Sequence, residues 1–388
     1  AIYQTDSKQS YTIQLEGALD LTATTVGTPE VQENPTLETI NFTSVPNSLT
    51  FKGIDQAVIL SLPESCFFGQ VLQLNQLTLQ ASKIYGNGHP LVFESIQHLG
   101  ETELFGGSNH DLVGDPKIIF NQVTGGDWQI CGGNELGNLT GTVETRITNL
   151  TGNLTQLCGG SLRGTIFGNV TTEINGLNGA LADYYGGGIG ADGEPATVNG
   201  TISNQINGAS TNFVLGNYYG GVAFGKTGPI QNRLNGVGNF SAKGDLIGGS
   251  QTGEIQGIPQ AITTQIDTSQ FLSGERNFVG GNQFGGVITG AIDNQLLAGS
   301  LGRGSFMRID GAGGMDIKKA SLTNAANFPP SVELTDPLNV TSEEAAYDQL
   351  TAAERFSMAR EKTAFYVAGD VTTRLLGCCV SDGAGRDK

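Results

Sequence analysis

Two apolar residues followed by Gly-Gly return again and again through the middle of the chain, and no other feature of the sequence limits the fold so tightly. The series reads Leu104-Phe105-Gly106-Gly107, Ile130-Cys131-Gly132-Gly133, Leu157-Cys158-Gly159-Gly160 and Tyr184-Tyr185-Gly186-Gly187. It continues as Tyr218-Tyr219-Gly220-Gly221, Leu246-Ile247-Gly248-Gly249 and Phe278-Val279-Gly280-Gly281, and Gly313-Gly314 closes it without the apolar pair. Subtracting successive first glycines gives steps of 26, 27, 27, 34, 28, 32 and 33 residues. A self-similar period of this size marks a repeat architecture.

Between the corners stands a glycine followed by spaced β-branched residues: Gly141-Thr142-Val143 with Ile147, Gly164-Thr165-Ile166 with Val170 and Ile174, and Gly200-Thr201-Ile202 with Ile206. Gly253-Glu254-Ile255 and Gly286-Val287-Ile288 with Ile292 follow. Apolar residues two or four apart have the period of a strand with one buried face. The segments are too short to hold a helix, which excludes βαβ units. The sequence therefore predicts an all-β chain, a parallel β-solenoid or β-helix whose coil is strand, Gly-Gly corner, strand. The corner glycines Gly106, Gly132, Gly159, Gly186, Gly220, Gly248, Gly280 and Gly313 suit bends that often need φ > 0. Eight landmarks stacked about 4.8 Å apart imply a rod roughly 40 Å long.

Composition narrows the class. Gly reaches 58 of 388 residues without a Gly-X-Y period, which excludes collagen. Charge is sparse and lopsided, 37 acidic against 20 basic residues for a net −17, which argues against nucleic acid as a partner. No run of apolar residues is long enough to span a membrane. The chain starts at Ala1, as a secreted form without its signal peptide would. Asn-x-Ser/Thr sequons at Asn41, Asn138, Asn149, Asn153, Asn169, Asn199, Asn239 and Asn339 are candidate N-glycosylation sites and fit an extracellular location.

In chain order, residues 1–50 read as an irregular N-terminal β segment, with alternation at Tyr11-Thr12-Ile13-Gln14-Leu15. The repeat domain is expected over 51–315, its first coils marked by worn corners at Cys66-Phe67-Phe68-Gly69 and Ile84-Tyr85-Gly86. Atypical first coils are expected, because an open end of stacked strands invites aggregation unless covered. In the remaining segment, 316–388, Thr341-Ser342-Glu343-Glu344 has the form of a capping box, which predicts a helix to about Lys362. Beyond it, Phe365 to Leu376 looks extended, and a polar tail carries Cys378-Cys379.

The search for chemistry returns little. Glycoside cleavage needs facing carboxylates about 5 to 9.5 Å apart, and the sequence holds no Asp-Asp or Asp-x-Asp on one strand. His89, His98 and His110 fall outside the regular repeat at spacings that match no zinc motif, and they read as surface or loop residues. The Gly-x-Gly strings are corners rather than nucleotide-binding loops, so neither cofactor nor metal is expected. The tyrosine pairs Tyr184-Tyr185 and Tyr218-Tyr219 either line a sugar-binding face or form an aromatic stack along one edge. Cys131 and Cys158 share one corner position 27 residues apart (158 − 131), close enough when stacked for an intrachain disulfide. Cys378 and Cys379, adjacent in the tail, are candidates for bonds between subunits.

The Gly-x-Ile/Val strands with aromatic-Gly-Gly corners resemble the Gly-rich, acidic proteins of archaeal sheaths and surface layers, those of methanogens above all. They are similar also to the pectate-lyase-like β-helix domains of microbial adhesins. The resemblance implies a non-enzymatic extracellular protein that assembles with copies of itself into a sheath, layer or filament. A glycan- or surface-binding adhesin is the alternative, with surface glycans as partner, and a polysaccharide lyase or hydrolase stands third. Adhesins of this type continue into anchoring or stalk regions, and none follows the repeats here, which favours the self-assembling subunit.

Overall fold

The computed structural model describes residues 10–22, 25–26, 39–40, 48–191, 193–208, 212–236, 240–242, 244–268, 277–297, 308–313 and 365–375. Within them the chain is all-β, and the named strands form one 27-stranded and one 8-stranded sheet. The pairings between these strands are parallel, and most join a segment to its equivalent one repeat on. The helix expected up to Lys362, like Cys378 and Cys379, lies outside the described residues, and among the described residues there is no helix.

One ladder can be followed through nearly the whole chain. It runs from Ser10–Leu15 through Ser48–Gly53, Val71–Asn75 and Leu91–Glu94 into the first part of Lys117–Cys131. It continues through the first part of Val143–Cys158, then Val170–Asn178, Ile202–Asn207, Ile230–Gly236, Gln260–Thr268, Ala291–Leu297 and Val371–Leu375. A second ladder carries the apolar pairs: Cys66-Phe67, Ile84-Tyr85, Leu104-Phe105, Ile130-Cys131, Leu157-Cys158, Tyr184-Tyr185, Tyr218-Tyr219, Leu246-Ile247 and Phe278-Val279 stand in register. The worn corners at Cys66 and Ile84 thus belong to the same series. The 8-stranded sheet forms the third, from Leu112–Val113 to Phe365–Val367.

Alternation decides what lies inside. On Val143–Cys158, Val143, Thr145 and Ile147 are buried while Glu144, Arg146 and Thr148 face outward. Leu, Ile and Phe side chains at buried positions fill the interior, each contributing about 1.5–3 kcal/mol by leaving water. The outward residues pair along the ladder instead, Lys117 with Glu144 at 2.8 Å and Arg146 with Glu173 at 3.2 Å.

The first corner glycines are required by crowding rather than by a left-handed backbone. A Cβ on Gly132, Gly159, Gly186, Gly220 or Gly248 would fall against the carbonyl oxygen of the next pair's first glycine. It would also meet a Thr or Asn side chain of its own repeat, such as Thr145 at Gly132 and Asn232 at Gly220. In the last repeat Gly311 takes the place in register with Gly280, and Gly313 lies opposite Asn282.

Candidate functional site

The repeat tyrosines and Cys131 and Cys158, which the sequence marks out, lie together at the corners. The first residue of each apolar pair lies in the main core, and the second packs in a separate column, with Leu162 and Ile189 against its first part. Phe67, Tyr85 and Phe105 stack there with ring centroids 4.3 and 5.2 Å apart, and Cys131 and Cys158 continue the column. Tyr185 and Tyr219 stack next at 5.1 Å, followed by Ile247 and Val279. Of the four repeat tyrosines, Tyr184, Tyr218 and Tyr219 are buried and Tyr185 is half-buried.

Cys131 and Cys158 are register partners, both buried and both free thiols. The hydrogen bond to Cys158, together with burial, holds the Cys131 thiol well above its ordinary range. Cys66 is buried in the core, which pushes its thiol up to about 12. Cys66 and Cys131 are therefore protonated and poorly nucleophilic.

Charge gathers at the N-terminal end of this column. Lys83 bridges Glu103 at 2.7 Å and Glu135 at 3.2 Å, and its ammonium lies 5.5 Å from the Phe105 ring centroid. Tyr85 donates its hydroxyl to Glu135. Burial works against the Lys83 charge, but bonds to Glu103 and Glu135 outweigh it and hold the amine above its usual value. Burial, then the Glu135 carboxylate, raises Tyr85 as well. Every member of this cluster is engaged with another, so it locks three rungs together rather than offering a free acid or base.

A second column lies inside and escaped the sequence reading. Thr145, Thr172, Asn204, Asn232, Thr264 and Asn294 are in register and buried, and Thr373 extends the row. Asn204 donates to the Gly220 carbonyl and to Asn232 Oδ1, each at 2.8 Å. Asn232 donates to the Gly248 carbonyl at 2.7 Å and to Thr264 at 3.0 Å. Tyr184 and Tyr218 reach the same asparagines with their hydroxyls, at 2.6 and 2.8 Å. At Gly186, Gly220 and Gly280 the buried amide occupies the space a side chain would need, and the Gly220, Gly248 and Gly311 carbonyls accept from Asn204, Asn232 and Asn294. The signal was present, as Val143-x-Thr145-x-Ile147, Ile202-x-Asn204-x-Ile206, Ile230-x-Asn232-x-Leu234 and Ile292-x-Asn294-x-Leu296. A search for apolar periodicity passes over it because the middle residue is polar.

The histidines need one correction. His98 is fully buried, 4.0 Å from Trp128 between ring centroids, and not a surface or loop residue. Thr102 gives its hydroxyl proton to the Ala81 carbonyl at 2.5 Å and so accepts from His98 Nε2 at 2.8 Å. That leaves Nδ1 as a buried acceptor without a partner, and burial lowers the ring to about 4. Gly125 and Gly126, at φ 80° and 68°, carry the backbone past the ring where a Cβ on Gly126 would strike it. His89 is also lowered by burial, and His110 lies 2.7 Å from the Ser108 hydroxyl.

Among the described residues, no group of three or more His, Cys, Asp or Glu side chains is arranged to hold a metal ion. No helix among them is long and apolar enough to cross a membrane. Asn138, Asn149, Asn153, Asn169 and Asn199 are exposed, while Asn41, Asn239 and Asn339 lie outside the described residues. Asn138, Asn153 and Asn169 each accept a backbone N–H of the next repeat, from Thr165, Ala180 and Thr201. No family model, curated protein or solved structure matches this chain.

Proposed function

We propose that the chain is a parallel β-solenoid that works as a non-enzymatic extracellular structural rod, assembling with its own copies into a surface layer, sheath or filament. One observation carries the reading: Ser10–Leu15 and Val371–Leu375 stand on one parallel ladder of unbroken polarity. A rod built this way repeats a fixed spacing along its length, which another copy of the same rod matches rung for rung. The residues with chemical potential are spent on the rod itself. The thiols are buried, Lys83, Tyr85, Glu103 and Glu135 satisfy one another, and the interior amides hold the corners.

The glycan-binding alternative has less support, because Tyr184 and Tyr218 are buried with their hydroxyls committed to Asn204 and Asn232. Electron microscopy of the purified full chain separates the two. Ordered sheets, tubes or fibres are expected; a monodisperse particle that binds a glycan array would overturn the assembly reading.

A further inference from the structure

The exposed large apolar side chains are unevenly placed. Among the described residues six of the nine, Val113, Leu136, Phe167, Phe224, Ile258 and Phe284, lie on or beside the 8-stranded sheet, whereas Ile54, Leu99 and Val371, which is on the last strand of the long ladder, do not. The outward face of the long ladder instead carries Lys117, Glu144, Arg146 and Glu173, paired with one another. Scattered surface apolar residues need no explanation, but a row along one side marks a contact surface.

Charge on that side points to the occupant. In a chain of net −17, copies repel one another unless they meet where charge is balanced. On the central rungs of the 8-stranded sheet, Arg163 pairs with Glu194, and Lys226 lies 3.8 Å from Glu254 on the next strand. The Lys226–Glu254 pair lines a depression of about 360 Å³ together with Phe224 and Thr252, with Gly225 and Gly253 among its walls.

We propose that this face is the lateral interface between two antiparallel copies of the chain, related by a two-fold axis. The axis lies in the contact plane, along the strands, midway between Phe224–Thr227 and Thr252–Ile255. It places Lys226 of each copy opposite Glu254 of the other, so one contact supplies two charge pairs, and it sets each Phe224 against Thr252 of the second copy. A self-complementary contact of this kind closes as a dimer and leaves both rod ends free. The proposal rests on the assembly reading above and names one of its surfaces. Asn138 and Asn199 belong to strands or flanks of the same sheet and are exposed, so the contact requires both to be free of glycan.

Sedimentation velocity of the full chain over a concentration series tests this, with circular dichroism to verify folding. Phe224→Asp is expected to weaken association about tenfold or more by putting a charge into the contact. Lys226→Glu and Glu254→Lys each set like charges opposite one another twice and should weaken it about three- to tenfold, while the double exchange restores it. Association unchanged in all three single variants would overturn this interface and leave the assembly reading standing. A wild type that stays monomeric throughout would overturn both, and a glycan found on Asn138 or Asn199 by intact mass would overturn the interface.

Discussion

The first rungs of the long ladder and the later ones solve the same packing problem differently. At one interior position the early strands carry Leu49, Leu72, Leu91 and Ile118, all with zero exposure. At the same position the later strands carry Thr145, Thr172, Asn204, Asn232, Thr264 and Asn294, all at most 3% exposed. Early on, the space is filled by large rings, with Phe93, Phe120 and Trp128 in edge contact at 4.8 to 5.8 Å. Later, the Gly-Gly corner comes close to the ladder and a buried amide bonds to it. An apolar interior tolerates variation in shape, whereas a buried amide is stabilising only where it finds partners, as Asn204 and Asn232 do.

Exchanging the two chemistries should break the molecule most severely. Asn232→Leu deletes bonds to Gly248, Thr264 and Asn204 and strands the Tyr218 hydroxyl, and should cost about 3–5 kcal/mol in urea unfolding. Leu72→Asn puts an unpartnered amide among Leu and Phe side chains at a similar cost. If Asn232→Leu were neutral, the polar column would be incidental.

The next effect belongs to the apolar half and is read by pH. His98 is lowered from 6.5 to about 4 in the folded chain, so it stays neutral there while the unfolded chain takes up a proton. Its contribution is therefore complete above about pH 6.5 and is lost as pH falls toward 4, up to about 3 kcal/mol. A His98→Gln variant should lose that segment of the acid sensitivity, and an unchanged pH profile would show that His98 is hydrated in solution.

Thr145 stands where the column changes character, between Ile118 and Thr172, and its hydroxyl has no hydrogen-bond partner. Thr145→Val should be neutral or stabilising by up to about 1 kcal/mol, in contrast to Asn232→Leu. The smallest effect is expected outside: Arg146→Gln removes half-exposed pairs to Glu144 and Glu173 and should cost about 0.5 kcal/mol or less. A larger loss would mean that the outward face, and not the interior, sets stability.

Much of this was legible in the sequence because the apolar pairs and Gly-Gly corners keep phase. The juxtaposition of Cys131 with Cys158 and the worn corners at Cys66 and Ile84 follow from that phase alone, and the stretch from Phe365 reads as extended from its own residues. What was missed shares a different cause. Thr145, Asn204 and Asn232 occupy apolar positions with polar groups, and His98 looks like a loop residue until Thr102, Trp128 and Gly126 surround it. Those partners lie 4 to 30 residues away (102 − 98, 128 − 98) and become neighbours only when repeats stack.

Cys131-Gly132 stands in register with Cys158-Gly159, and the claim to test is that one repeat is one interchangeable rung. Removing residues 132–158 joins Cys131 to Gly159 and takes out one whole rung, whereas removing 132–144 stops partway and puts each later strand out of phase. Circular dichroism with thermal melting of both full-length deletion variants should show a shorter folded β protein with a cooperative transition for the first. It should show loss of the cooperative transition for the second. Two variants that behave alike would contradict the claim.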